Sequence, residues 1–210
     1  MRMVMMFRAI SAALLAGCFT TQALAAQNQD PDWPCIQRKV PELSLGQIWN
    51  GPELPASAAE WSKDDDIETL VRELAARRVP IGEAEQEVRD FAAALPKHKA
   101  QEQLAKLFQG LFDHMNGERA QVMSGIGRYA RNQIQLAERL RKEGSEVDAM
   151  RAKADADPGE IARQTDRLVF ETRIFEERVQ SLTYVCEVPT LIEQRLYALA
   201  KVVAEEMKGK

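Results

Sequence analysis

The sequence predicts an all-α protein with three parts: a helical bundle base, a long antiparallel two-helix coiled-coil hairpin arm, and a proline-rich, non-helical N-terminal strap. Three observations support this fold class. Apolar residues recur at helical spacing from Ser57 onward, prolines concentrate before that residue, and two long helical runs of similar length span 97–143 and 158–208. The predicted organisation is a signal peptide at 1–25, a strap at 26–56 and a single helical domain at 57–210.

Residues 1–25 have the three parts of a secretory signal peptide. A positive start with Arg2 and Arg8 precedes an apolar run, and a small-x-small site ends at Ala25. We expect cleavage after Ala25 and a periplasmic or secreted location. Loss of the two arginines leaves 26 basic against 32 acidic residues, a net charge of −6. A mildly acidic chain is a poor candidate for nucleic-acid binding.

The same N-terminal segment supports a second interpretation. The tetrapeptide LAGC, which ends at Cys18, matches the lipobox of bacterial lipoproteins, in which that cysteine becomes the lipidated first residue. Phe19 and the complete cleavage site downstream argue against this interpretation. Only in this case would the mature chain be held at a membrane, through lipidated Cys18, because no later segment is long and apolar enough to span one.

Two cysteines, Cys35 and Cys186, remain after signal cleavage. In an oxidising compartment such a pair predicts one disulfide. The bond would close a loop of roughly 150 residues, for which the chain-entropy model gives about 4 to 5 kcal/mol of stabilisation. Two free buried thiols are the alternative. A redox-active pair is less favoured, because the sequence has no Cys-x-x-Cys spacing.

Residues 26–56 are marked by prolines, which block both helices and central strands. Trp33 and Trp49 make the segment too apolar for a solvated linker. We therefore interpret it as a strap that its two tryptophans anchor on the helices. A tryptophan-lined ligand groove is the alternative. The prolines are Pro31, Pro34, Pro41, Pro52 and Pro55.

Helical elements follow the strap in order. A capping box from Ser57 to Glu60 starts the first helix, which ends before Pro80, and a second helix spans 83–95. Apolar residues at helical spacing define both elements. The later boundaries are the run 97–143, an N-cap at Asp157, a break at Val188-Pro189 and a capping box that begins at Thr190.

The two long runs are predicted to pair as a hairpin folded about residue 151. Asn116-Gly117, the strongest kink signal in the first run, would then face Cys186, beside the break in the second. We expect a base of 57–116 and 187–210 and an arm of 117–186. Net charges of +3 and −2 on the two arm helices favour this pairing, and two solvated charged faces are the alternative. The heptad seam of the second arm helix is Ile161, Thr165, Leu168, Thr172, Phe175, Val179 and Leu182.

The sequence shows no catalytic, cofactor-binding or metal-binding pattern. His98 and His114 face away from each other around a helix, and each has a glutamate four residues later that favours an ion pair. The acidic run Asp64–Asp66 lacks the alternating oxygens and the glycine of a calcium loop. We interpret it as the negatively charged first turn of a helix.

Small residues recur at intervals of seven in the first long run, at Gly110, Gly117 and Ser124. They admit two interpretations. Either a partner backbone approaches closely there, or the glycines loosen the helix, at a cost of about 1 kcal/mol each.

These observations predict a non-enzymatic periplasmic protein: an adaptor, assembly factor or envelope-complex subunit. It would present the arm tip, residues 140–160, to protein partners in the bacterial envelope. The alternative function is a small-molecule or cofactor-binding helical bundle that uses Trp33, Trp49 and Trp61. The sequence leaves self-association of the chain open.

Overall fold

The fold is all-α, as the sequence predicts. The computed structural model describes residue 30 and residues 32–209, and no strand occurs in that part of the chain. Signal cleavage after Ala25 and lipidation of Cys18 concern residues outside the described part. The elements are α1 (Leu45–Ile48), a 3₁₀ helix (Ala56–Lys63), α2 (Asp65–Ala75), α3 (Ile81–Ala94), α4 (Lys97–Arg151) and α5 (Pro158–Lys208).

The first predicted helix is two elements instead of one. The 3₁₀ helix begins after Pro55, and the Ser57 side chain caps nothing. Asp64 then takes an extended conformation and accepts a hydrogen bond from the Ile67 backbone N–H at 3.3 Å. The predicted capping box at Ser57 is therefore wrong, because Asp64 caps α2 in its place. The acidic run supplies this N-cap and the first turn of α2.

The two predicted interruptions of the long helices are also wrong. Helix α4 continues through Asn116-Gly117 to Arg151, and α5 continues through Pro189, so no new helix begins at Thr190. A proline removes one backbone hydrogen bond, but Pro189 is itself buried against the base. Tertiary packing on both sides of it holds the helix together.

The hairpin turn lies further along the chain than the sequence predicts. Arg139 of α4 pairs with Glu171 of α5 at 3.6 Å, and the midpoint of these two residues is 155, not 151. Asn116 therefore lies level with residue 194 and not with Cys186. The start of α5 is as predicted, since the Asp157 carboxylate accepts from the Gly159 N–H at 2.8 Å and Pro158 follows as the first helical residue.

The main hydrophobic core lies where α2, α3 and the 3₁₀ helix pack on the first half of α4 and the last part of α5. The buried side chain of Arg195 links α5 to the end of α2 and to the loop that follows it. Its Nε donates to the Leu74 carbonyl at 2.7 Å and its Nη1 donates to the Val79 carbonyl at 2.8 Å, so α5 satisfies the end of α2. The largest fully buried side chains of this core are Ile67, Val71, Leu74, Leu104, Leu107, Phe108, Leu111, Met115, Ile192, Leu196 and Leu199.

Beyond this core, α4 and α5 continue side by side. Buried residues of α4 recur mostly at steps of three and four, while most of the facing residues of α5 are half-buried. One of the buried residues is polar: Gln133 is 6% exposed, and its Oε1 has no hydrogen-bond partner. The buried positions of α4 here are Met123, Ile126, Gly127, Ala130, Gln133, Leu136, Leu140 and Val147.

We expect Gln133→Leu to stabilise the protein. An unsatisfied buried oxygen costs about 1 to 3 kcal/mol, and leucine has no polar atom to leave unpaired, so the free energy of unfolding should rise by about 1 kcal/mol. Urea unfolding of the variant and the wild type measures this difference in the free energy of unfolding. Gln135→Leu is the matched control, because Gln135 is exposed and should change stability little. A loss of stability in Gln133→Leu would contradict the role assigned to Gln133.

Residues 32–55 lack regular structure apart from α1 and lie against α4 and α5. Cys35 and Cys186 lie at disulfide distance, with 5.5 Å between their Cα atoms, and they are the pair that the sequence predicts. The Asn116 side chain accepts from the Leu43 N–H at 3.0 Å and donates to the Leu43 carbonyl at 3.4 Å. Asn116 therefore holds the N-terminal segment and does not mark a kink.

Candidate interaction surface

Large apolar side chains face solvent on α5, on the side turned away from α4. Val169 and Phe170 are each 64% exposed and Tyr184 is 75% exposed. Phe170 and Tyr184 are separated by two heptads, so they lie within about 40° of each other around the helix. We call Val169, Phe170 and Tyr184 the outer face. Exposed apolar groups that share one face mark interaction sites more often than scattered single ones.

The outer face ends where the base begins. Leu191, 50% exposed, lies one heptad after Tyr184, and beyond it α3 packs against the same side of α5. The outer face is therefore the uncovered continuation of a helix side that is buried in the base. The sequence prediction does not include the outer face, because the predicted heptad seam is the one that faces α4. The signal was present in the seven-residue spacing of Tyr184 and Leu191.

The arm tip is charged and internally paired. Arg151 donates to Asp148 at 3.1 Å and to Thr165 Oγ1 at 2.8 Å, so it links the end of α4 to the start of α5. Hydrogen bonds from Gln164 and Arg163 lower the pKa of the exposed Glu160 below its ordinary value. The predicted tip at 140–160 thus offers charges, whereas the apolar contact area lies further down α5.

The charges of the two long helices pair mostly within each helix. Arg173 lies 3.1 Å from Glu177 and Arg163 lies 2.6 Å from Glu160. Within the described part of 117–186, Arg139–Glu171 is the one ion pair that joins α4 to α5. Exposed pairs of this kind contribute little stability, so the alternative of solvated charged faces describes most of this surface.

A small cavity lies between the N-terminal segment and the helices, beside the cysteine pair. Arg119 lines it and is 5% exposed. Its Nη1 donates to the Val40 carbonyl at 2.6 Å, and its Nη2 lies 3.6 Å from Glu193. The cavity volume is about 150 Å³. Binding pockets for drug-sized ligands are typically about 300 to 1,000 Å³, so this cavity is too small for such a molecule.

The three tryptophans do not share one site. Trp33 lines the small cavity, and its N–H donates to the Gln37 carbonyl at 2.6 Å. Trp49 stacks on Phe108 with 3.9 Å between ring centroids. Trp61 donates to Asp113 at 2.9 Å. Each indole therefore has a packing or hydrogen-bonding role of its own, and the ligand-binding alternative stays a hypothesis.

The histidines do not form the ion pairs that their spacing favours. Glu118 pairs with Arg77 at 3.4 Å, and Glu102 pairs with Lys106 at 3.4 Å, instead of with His114 and His98. Arginine and lysine carry a full charge at neutral pH, whereas histidine is mostly neutral there. In the described part of the chain, no three His, Cys, Asp or Glu side chains are grouped as metal ligands.

Comparison with known proteins adds no functional information. No protein-family model, curated protein or solved structure matches the chain. Within residues 30 and 32–209, no helix combines the length and the apolar composition that a membrane crossing requires.

Proposed function

We propose that the chain is a non-enzymatic interaction protein of the bacterial envelope: an adaptor, an assembly factor or a subunit of an envelope complex. Its coiled-coil arm, formed by α4 and α5 beyond the base, would present the outer face to a protein partner. The exposure of Phe170 and Tyr184 on one side of α5 is the observation that carries this proposal.

The arm suits contact with a partner because its own core is on the other side. The half-buried residues of α5 lie on the side that faces α4, which leaves the opposite side of α5 free for a partner. Covering a large apolar side chain contributes about 1.5 to 3 kcal/mol. Two aromatic side chains can therefore supply the centre of an interface.

The envelope location is supported by one feature of the sequence and one of the structure. Residues 1–25 have the pattern of a cleaved secretory signal, and Cys35 and Cys186 lie at disulfide distance. A disulfide of this kind persists in an oxidising compartment such as the periplasm. Lipid anchoring through Cys18 would put the same domain at a membrane surface.

Site-specific photocrosslinking in periplasm-containing cells tests the proposal. A crosslinker at position 170 or 184 should give a discrete adduct with a second protein, and one at Ile36, which is fully exposed on the N-terminal segment, should not. Phe170→Ser together with Tyr184→Ser should reduce the adduct formed from a crosslinker at position 177 by about tenfold. Identical adducts from positions 36 and 170 would contradict the proposal.

A shortened arm separates the tip from the outer face. Residues 141–168 can be replaced by a short glycine linker, because residues 140 and 169 lie level across the hairpin. If the outer face binds the partner, the adduct at position 184 should survive this change. If the tip at 140–160 binds it, the adduct should disappear.

A further inference from the structure

A second candidate surface lies on the base, where the end of α2, the start of α3 and the side of α5 meet. Ile81, Leu191 and Ala198 form a mostly apolar groove there, and Arg77 and Arg195 line its edge and floor. Ile81 is 40% exposed and Leu191 is 50% exposed. We call these five residues the shoulder groove. It is shallow and open, as a site for an elongated partner segment would be.

The shoulder groove is positively charged. Arg195 is 8% exposed, and no carboxylate of the described residues lies within ion-pair distance of it. Its guanidinium donates to two backbone carbonyls, while Nη2 has no partner. Burial lowers the pKa of Arg195 from its ordinary value, because desolvation disfavours the charged form, but an arginine still keeps its proton at neutral pH.

A neighbouring cleft extends the same charge. Arg72, Arg77, Arg78, His114 and Glu118 line it. Arg72 pairs with Glu68 at 3.3 Å and Arg77 pairs with Glu118 at 3.4 Å, both as exposed pairs, so among the described residues Arg78 and the buried Arg195 carry the positive charge without a carboxylate partner. Arg77 belongs to both the cleft and the groove, so apolar and basic surface are continuous at this shoulder. Glu187, one turn before Leu191, bounds the positive region at its upper end.

We propose that the shoulder groove binds an acidic amphipathic helix of a partner protein. The apolar side of such a helix would cover Ile81, Leu191 and Ala198. Its carboxylates would face Arg77 and Arg78 and would compensate the buried charge of Arg195. This site lies on the base, apart from the outer face of the arm, and it does not require the arm to bind anything.

The chemistry of the groove favours this occupant. Apolar residues on two helices that meet at an angle provide the row of contacts that a helix makes through positions i, i+3, i+4 and i+7. A basic surround attracts acidic segments and repels basic ones. A nucleic acid would satisfy the arginines but not the exposed leucine and isoleucine.

Peptide binding to the full chain tests the proposal. The probe is a fluorescent peptide of about five helical turns with leucines at i, i+3, i+4 and i+7 and glutamates elsewhere. The matched probe has lysine in place of every glutamate. We expect saturable micromolar binding of the glutamate peptide by fluorescence anisotropy, at least about tenfold tighter than the lysine peptide and weaker at higher salt.

Three variants locate the binding. Leu191→Ser and Arg77→Glu should each weaken the glutamate peptide by about tenfold or more. Tyr197→Ser is the control, because Tyr197 is 51% exposed on the same helix but points about 120° away from Leu191. All three change exposed side chains, and circular dichroism checks that their melting is unchanged.

Several results would overturn the proposal. They are equal binding of the two peptides, full binding by Leu191→Ser, loss of binding in Tyr197→Ser, and no saturation at millimolar peptide. Sedimentation velocity tests the other possible occupant, a second copy of this chain. If the chain self-associates and Leu191→Ser abolishes the self-association, the groove binds the second copy and the acidic-helix proposal is wrong. A negative result in the peptide-binding experiment would not change the crosslinks expected from the outer face. The two proposals can therefore be refuted independently.

Discussion

Loss of the covalent link between Cys35 and Cys186 is expected to lower the free energy of unfolding by about 4 to 5 kcal/mol. The two cysteines are 151 residues apart, so the bond restricts most of the unfolded chain. The double variant Cys35→Ser/Cys186→Ser removes the link without leaving a thiol to form intermolecular bonds. Urea unfolding of the oxidised wild type and of the variant measures the difference.

The structure divides the effect of this change between two parts of the N-terminal segment. Residues 43–49 have anchors of their own: Leu43 and Ile48 are buried, and Trp49 stacks on Phe108. Residues 32–41 depend on the cysteine link and on polar contacts such as Arg131–Asp32 at 2.8 Å. We expect the variant to free residues 32–41 and to leave residues 43–49 in place.

Trp33 reports this local release. Its fluorescence should shift to the red in the variant while far-UV helicity stays nearly constant, and Trp33→Phe should remove the shift, whereas Trp49→Phe should preserve it. Trypsin should cut at Arg38 or Lys39 in the variant and not in the oxidised wild type. A Cys35 thiol that reacts with a labelling reagent in the native, unreduced protein would show that the link does not exist.

The sequence predicted the elements whose ends are marked by strong local signals. Asp157-Pro158 starts α5 as predicted, because an aspartate N-cap and a proline at the first helical position act within one turn. Helix α3 begins just after Pro80, two residues before the predicted start. The cysteine pair followed from the cysteine count, since the two cysteines outside the predicted signal peptide allow one pairing.

The sequence failed where tertiary contacts override a local signal. Asn116 has the chemistry of a turn residue, but its amide satisfies both backbone groups of Leu43, a contact across 73 positions that no local pattern shows. Pro189 is a helix breaker in isolation, yet packing on the base keeps α5 continuous around it. The predicted hairpin turn at residue 151 came too early for another reason: the first run was expected to end near residue 143, whereas α4 continues to Arg151.

The shoulder groove could not be predicted for a related reason. Ile81 and Leu191 are 110 positions apart, and each alone is an ordinary exposed apolar residue. Arg195 is indistinguishable in sequence from the solvated arginines of the same helix. These residues line one groove only because α2, α3 and α5 meet in the folded protein.

Two glycines of α4, Gly110 and Gly117, should respond in opposite directions to alanine. A Cβ atom at Gly110 would lie 2.7 Å from Val71 Cγ2 and 2.9 Å from the Trp61 ring, so α2 and the 3₁₀ helix would have to move away from α4. Overpacking costs about 1 to 3 kcal/mol. Alanine gains about 1 kcal/mol over glycine in a helix, so Gly110→Ala should still lower the free energy of unfolding, by about 1 kcal/mol net.

Gly117→Ala is the matched control, because no atom lies within 4 Å of a Cβ at that position. It keeps the propensity gain without the clash and should raise the free energy of unfolding by about 1 kcal/mol. Urea unfolding of both variants beside the wild type decides between the two interpretations of the glycines. Opposite signs mean that Gly110 admits the close approach of α2 while Gly117 only loosens the helix. If Gly110→Ala stabilises the protein as much as Gly117→Ala does, then α2 does not pack against α4 as closely as described.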